Sequence, residues 1–228
     1  MAGLLHTDSL AATVDAVNAA FFYGARTTSA ERAGAAKWIA SRQGLPGSYA
    51  DMFAMTEADV AQGVRLFTGQ DIGSGGGARH ILGEEACRAL LLLGVTAPTV
   101  RKALQRATAG MTERLLRYSL QTGTYCCGRC TPSVWRHLTA GGLRDARPER
   151  LLAAGLRTLK SARLGTGKWR WYRFHYTLLA LSEMDSRAAV AEMRYAAPLC
   201  ERMLKRAAPD DEHARRRRVV AERVLAKC

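Results

Sequence analysis

The spacing of apolar residues along the chain predicts helices. Near the N-terminus, Leu10, Val14 and Val17 follow one another at three- and four-residue intervals, which is the period of an amphipathic helix. Asp8 is the predicted N-cap of this helix, and Gly24 is its predicted stop. Sustained alternation of apolar and polar residues, the pattern of a half-buried strand, does not occur in the sequence. The pattern therefore predicts an all-α fold without a real sheet.

Similar spacing continues through the chain and predicts about eleven helical segments joined by short loops. Helices after the first are predicted at 28–42, 78–93, 96–108, 112–121, 131–141, 148–162, 177–184, 186–206 and 209–228, with one short and one longer helix within 49–68. Gly110 is expected to separate two of these helices, and Pro198 is expected to kink or break another.

Two passages in the second half of the chain share the same order of features. Each begins with Thr-Gly-x-aromatic, at Thr122 and at Thr166, and continues with a short polar or aromatic insert. Each insert ends at a threonine, Thr131 or Thr177, that opens an apolar helical stretch. The separation of the two passages is typical of helical-hairpin repeats. The helices at 131–141 and 177–183 are therefore predicted to occupy equivalent positions.

The second passage resembles the helical repeat of the terpenoid cyclase and prenyltransferase α/α toroids. The resemblance is carried by Leu152 to Leu159, by Gly167-Lys168-Trp169 and by Tyr176 to Leu181, within residues 149–184, and more weakly by residues 113–142. It implies an α/α toroid-like or superhelical arrangement of helical hairpins. It also implies that the aromatic residue after the Gly-x turn packs against the ends of neighbouring helices.

The residues that carry chemistry in that family are not matched here. The Asp-x-Asp-Asp acid of triterpene cyclases does not occur in the sequence, and the Asp, Cys and His zinc ligands of protein prenyltransferases have no counterparts at matching positions. The resemblance therefore favours an architecture and argues against those two reactions, because a fold alone does not determine a function.

Charge divides the chain into two parts. The net charge is +14, yet residues 1–100 contain seven Lys or Arg against nine Asp or Glu, so the remaining residues carry +16. The sequence thus suggests a near-neutral N-terminal part, 1–100, and a basic helical-repeat part, 101–228, within one continuous domain. A basic face attracts polyanions, so an anionic partner is one hypothesis. The other is that the charge reflects composition and a solvated surface.

Three of the six cysteines lie within five residues, at Cys126, Cys127 and Cys130. Clustered thiols are typical ligands of zinc, which takes about four N or S ligands. His137 is the expected additional ligand, with Cys87 and Cys200 as alternatives, and zinc is the expected ion. The Cys127–Cys130 pair also suits a redox dithiol, because a helix N-terminus and Arg129 would lower a thiol pKa. Free or packed cysteines are the third interpretation.

The second insert interleaves basic and aromatic residues. Its candidate anion- or ligand-binding residues are Lys168, Trp169, Arg170, Trp171, Arg173 and His175. Cations contact phosphate and rings stack on bases, so the pattern favours nucleic acid or another anionic or lipid-like ligand. The alternative is that the rings pack against helix ends while the basic groups remain in water.

Other features narrow the list of functions only slightly. No signal peptide is recognised and the longest apolar run is too short to span a bilayer, so a cytoplasmic protein without a membrane span is expected. His80 and Glu84 share one helix face and are expected to make a surface contact. Catalytic residues are not identified. Three hypotheses remain: a non-catalytic helical-repeat protein that binds an anionic partner, a metal- or thiol-dependent enzyme, and a toroid-like protein that binds an isoprenoid or other apolar ligand.

Overall fold

The computed structural model describes residues 3–119, 121–143, 147–206 and 211–228, without the side chains of residues 118 and 119. Ten helices and one two-stranded hairpin are formed by these residues. They are α1 Leu10–Phe22, α2 Ser29–Ser41, α3 Glu57–Gln62, β1 Val64–Arg65, β2 Asp71–Gly73, α4 Gly76–Leu93, α5 Pro98–Ser119, α6 Thr131–Thr139, α7 Arg147–Ser161, α8 Phe174–Glu183, α9 Arg187–Leu204 and α10 Glu212–Ala226. The predicted all-α class is confirmed. The helix start predicted at residues 209–210 lies outside the described residues.

Short local signals explain where the first helices begin. The Thr28 hydroxyl accepts from the backbone N–H of Glu31, whose carboxylate accepts in return from the backbone N–H of Thr28, so α2 begins with a capping box. Helix α1 is capped by Ser9, which accepts from Ala12, and the prediction of Asp8 as its cap is wrong. Because a serine hydroxyl caps as well as a carboxylate, the sequence did not separate these two neighbours.

A hairpin replaces the longer helix that was predicted before residue 68. Helix α3 ends at Gly63, whose φ of 73° is favoured by glycine alone, and the next residues form β1. β1 pairs antiparallel with β2. Among the described residues, this short hairpin is the only sheet, in an otherwise helical fold.

The helix breaks predicted at Gly110 and Pro198 do not occur, while the kink that was the alternative at Pro198 stays a prediction. Helix α5 passes through Gly110, where an added Cβ would lie 1.9 Å from the Ala50 carbonyl oxygen. This glycine permits the close approach of another backbone segment and does not end the helix. Helix α9 likewise includes Pro198.

The two Thr-Gly passages agree in their turns and differ in the helices that follow. Gly123 and Gly167 both have positive φ, and the next aromatic residues, Tyr125 and Trp169, are both buried. Helix α6 begins at Thr131, as predicted. Helix α8 begins three residues before Thr177, so the prediction that Thr177 opens it is wrong. The shared turn therefore does not place the two helix starts at equivalent residues.

The chain divides into two compact units. The first comprises Met1–Arg65, Asp71–Arg117 and Ala140–Leu143, and the second comprises Leu66–Gln70, Tyr118–Thr139 and Arg144–Cys228. The change of charge near residue 100 falls within α5, before the unit boundary in that helix. In the first unit, α4 packs against α1 and α2 around the apolar core.

The second unit is a set of packed helices that carries both singled-out sequence features. Helix α9 packs against α7, α8 and α10, while α6 packs against α7 and α8. The turn between α5 and α6 contains the clustered cysteines, and the turn between α7 and α8 contains the aromatic and basic insert. Among the described helices of both units, none combines the length and apolar character needed to cross a membrane.

The approach of Ala50 to Gly110 gives a direct test of the fold. We expect Gly110→Ala to lower the free energy of unfolding by about 1–3 kcal/mol, because the new methyl group overlaps a backbone carbonyl oxygen. Gly34→Ala is the matched control, since Gly34 lies in α2 with open space around its Cβ position. That control should gain about 0.5–1 kcal/mol from helix propensity. Equal effects in urea unfolding would contradict the close approach.

Candidate functional site

Residues 125–131, here called the cysteine turn, fold back on themselves before α6. The Cys127 backbone N–H donates to the Tyr125 carbonyl at 2.6 Å, and the Cys130 backbone N–H donates to the Cys127 carbonyl at 3.1 Å. The Thr131 hydroxyl also donates to the Cys127 carbonyl, at 2.8 Å. Cys126 has a φ of 59°, which non-glycine residues rarely adopt. These bonds hold the three cysteines on a compact turn that begins a helix.

The thiols of the cysteine turn lie close together, as predicted. The Sγ atoms of Cys127 and Cys130 are 3.4 Å apart, and those of Cys126 and Cys130 lie within 4.8 Å of each other. Cys126 and Cys127 are exposed, while Cys130 is buried, and all six cysteines of the chain are free thiols. Two of the three soft sulfur ligands therefore belong to solvent-exposed residues, and the third belongs to a residue buried in the protein.

The Cys127 thiol ionises more readily than an ordinary cysteine. Burial alone would raise its pKa, but hydrogen bonds from the Cys130 thiol, from the backbone N–H groups of Cys130 and Arg129, and from the Cys126 thiol outweigh it. The net result is a lowered pKa. Thiolates are the forms that bind metals and attack disulfides, so both chemistries are favoured at this residue.

The predicted additional ligands have different surroundings. His137 lies on α6 with a fully buried side chain, and its role as a ligand stays a prediction. Burial raises the pKa of Cys87 above its usual range and, with the nearby Cys228 thiol, raises the pKa of Cys200 to about 11. Both are therefore packed, protonated thiols.

The six predicted ligand residues of the insert separate into three groups. Trp169 is only 3% exposed, and its ring packs near those of Phe174 and Tyr195. Lys168, Arg170 and Trp171 are exposed, and Trp171, at 69%, is the most exposed large apolar side chain among the described residues. Arg173 and His175 are half-buried. The interpretation of the whole insert as a binding surface thus applies only to its exposed residues.

A buried carboxylate on α9 fixes the insert. Glu192 accepts from Arg163 Nε and Nη2 at 3.0 and 2.9 Å and from Trp169 Nε1 at 2.9 Å. The Arg163 guanidinium also lies 4.3 Å from the centre of the Tyr195 ring. Sequence reasoning did not find Glu192, because its partners are more than twenty residues away. The available signal in the sequence was the presence of an acidic residue, an arginine and a tryptophan in the same unit.

The cysteine turn and the insert are in contact. A Cβ at Gly128 would lie 2.9 Å from the Trp171 carbonyl oxygen and 3.0 Å from the Tyr172 ring. The Tyr172 ring stacks on Trp135 at 6.0 Å. Burial, together with the neighbouring Cys127, raises the pKa of Tyr172 to about 12. The two segments that the sequence presented as separate hypotheses therefore lie against each other.

In the first unit, the structure corrects the expected surface contact between His80 and Glu84. Nδ1 of His80 lies 3.1 Å from the Glu84 carboxylate, and both side chains are buried. Glu85 is buried as well and accepts from the Asn18 side-chain amide at 3.1 Å. A sequence does not reveal that both neighbouring acids on one helix will be enclosed.

An open depression of about 510 Å³ lies beside the start of α9. Its lining is mostly charged or polar (Asp185, Ser186, Arg187, Val190, Arg194).

Comparison of the chain with protein-family models, curated proteins and solved structures found no match in any of the three.

His175 makes the stability of the protein depend on pH. Burial, with Arg217 and Lys168 nearby, lowers its pKa to about 4 from 6.5. Below pH 6.5 the unfolded chain takes up a proton that the folded protein refuses, so His175 removes up to about 3 kcal/mol of stability as the pH falls towards 4. We expect His175→Gln to lose less unfolding free energy than the wild type between pH 7 and pH 4.5. If the wild type and His175→Gln lose the same unfolding free energy between the two pH values in urea titrations, this environment for His175 is disproved.

Proposed function

We propose that the cysteine turn is a zinc-binding site in which Cys126, Cys127 and Cys130 are ligands. Zinc–sulfur bonds of about 2.3 Å in a tetrahedral site place two sulfur atoms about 3.8 Å apart. The 3.4 Å between Cys127 and Cys130 Sγ is close to that separation, and Cys126 Sγ lies within 4.8 Å of Cys130 Sγ. The mutual closeness of three thiols is the observation that carries this proposal.

Bound zinc would have a structural role in this site. It would tie the turn together directly before α6, at the point where Gly128 contacts Trp171 and Tyr172. Structural zinc sites close their ligand shell with protein side chains, so one further ligand is needed, and His137 is the predicted one. Metal ligation would also account for a turn in which Cys126 is held at positive φ.

Metal analysis of the purified full chain tests the zinc proposal. We expect about one zinc ion per chain after zinc loading and dialysis, in line with a single four-coordinate site. Cys127→Ser should weaken zinc binding by about 100-fold or more, because even supporting residues around zinc contribute about 10- to 100-fold. His137→Ala should weaken binding similarly if it supplies the fourth ligand.

The control is Cys228→Ser, which removes another exposed cysteine of the same unit. It should leave zinc content and affinity unchanged, and circular dichroism should show both serine variants folded. A wild-type protein without bound zinc, or a Cys127→Ser variant that binds zinc as the wild type does, would refute the proposal.

We also propose that the site binds an anionic partner, because cations collect around the insert without neutralisation. Residues 150–182 contain no Asp or Glu. Arg163 is occupied by Glu192, and Arg136 by Glu183 in a two-bond ion pair. Among the described residues, Lys168, Arg170 and Arg129 are exposed and have no carboxylate partner. These three cations are therefore available to an external anion.

Retention on immobilised heparin measures this second function. The double variant Lys168→Ala/Arg170→Ala should elute at lower salt than the wild type, because each lost phosphate-like contact reduces the number of released counterions. Lys37→Ala/Arg26→Ala is the charge-matched control, since both of its residues are exposed in the first unit. Equal elution of the two double variants would show that total charge, and not this surface, determines retention.

A further inference from the structure

We propose that the anionic partner is a single-stranded nucleic acid, with Trp171 stacking on a base while Lys168, Arg170 and Arg129 contact phosphates. This inference rests on the proposed anion-binding function and names its partner. The surface formed by these four residues is called the insert tip below.

The Trp171 ring is placed for contact with another molecule. It is 69% exposed, whereas Trp169, two residues earlier, is 3% exposed and fully engaged with Glu192 and Tyr195. Trp171 also has a φ of 68°, which is unfavourable for a residue with a side chain. Strained residues of this kind persist where the surroundings fix them, and they concentrate at binding sites. The ring is therefore held outside the core at a conformational cost.

The backbone on both sides of Trp171 is fixed. The Arg170 backbone N–H donates to the Ala162 carbonyl at 2.8 Å, and Arg163 and Trp169 form an isolated antiparallel bridge. The Trp171 carbonyl packs against Gly128 of the cysteine turn. A rigid support lowers the entropy that binding would otherwise remove, so the exposed ring is already arranged to receive a flat partner.

The cations of the insert tip are close to Trp171 in the chain or at its contact with the cysteine turn. Lys168 and Arg170 lie on either side of buried Trp169 in the sequence, both are exposed, and Arg170 directly precedes Trp171. Arg129 directly follows Gly128, the residue in contact with the Trp171 carbonyl, and is also exposed. An exposed ring with exposed cations in these neighbouring positions matches the combination of base stacking and phosphate contact by which single strands are bound.

Single strands fit this surface better than duplexes. Bases in a duplex are stacked on each other, so a single exposed ring reaches no π-face without prying them apart. Duplex readers place a helix or a β-ribbon in the major groove. Helix α8, which follows the insert, is buried along most of its length and cannot serve as such a helix. An unpaired base, in contrast, presents an open face to Trp171.

The test measures binding of fluorescein-labelled oligo(dT) and oligo(rU) by anisotropy at low salt, with the full chain. Trp171→Ala should weaken binding by about 5- to 150-fold, the range expected for loss of one base–aromatic stack, while Trp171→Phe should retain most of the affinity. Arg170→Ala should weaken binding and flatten its dependence on salt. Binding of either oligonucleotide with this pattern supports the proposal.

Inorganic polyphosphate and a blunt duplex of the same length separate this proposal from general anion binding. Polyphosphate competition that depends on Arg170 and is unchanged by Trp171→Ala is the expected result. If Trp171→Ala binds oligonucleotides as the wild type does, or if the duplex binds as tightly as the single strand, stacking is refuted while anion binding stands. If neither oligonucleotide nor polyphosphate binds, both proposals fail. Because the Trp171 ring is exposed, circular dichroism should show Trp171→Ala folded.

Discussion

The site depends on one buried carboxylate, that of Glu192. At 2% exposure, a charged group is tolerated only when partners replace the lost water. Glu192 forms a two-bond ion pair with Arg163 and accepts a hydrogen bond from the indole of Trp169. Both partners lie in the turn between α7 and α8. Removing one charge of a buried ion pair typically costs about 3–5 kcal/mol, because the other charge is left without its partner. The turn between α7 and α8 is therefore anchored to α9 by necessity.

Anchoring of that turn determines what the neighbouring residues can do. Trp169 is buried, Lys168 and Arg170 on either side of it are exposed, and Trp171 follows at a positive φ. The backbone carbonyl of Trp171 then contacts Gly128 of the cysteine turn. The proposed zinc site and the proposed anion-binding surface meet at this contact. The cysteine turn would support the insert, and the exposed residues of the insert would contact the anion.

The sequence predicted features that depend on residues close together in the chain. It did not predict features that depend on contacts between residues far apart in the chain. Thr28 and Glu31 are three residues apart, so their capping box could be read directly, and the closeness of the three cysteines followed from their spacing. Gly110 could not be read, because its role depends on Ala50, far away in the chain. The same is true of Gly128 and Trp171, and of Glu192. Thr177 misled for another reason: helix α8 starts at Phe174 without a capping side chain, so no sequence signal marks its beginning.

The uneven surroundings of the six cysteines make the protein chemically addressable at one place. Cys87 and Cys200 are fully buried, and their raised pKa values keep them protonated at neutral pH. The pKa of exposed Cys228 is raised too, whereas that of exposed Cys127 is lowered. Alkylating reagents react with thiolates, so in the zinc-free protein a limiting dose near neutral pH should modify Cys127 before Cys87, Cys200 or Cys228. A fluorophore or spin label attached there would sit beside the Trp171 face without any engineered cysteine.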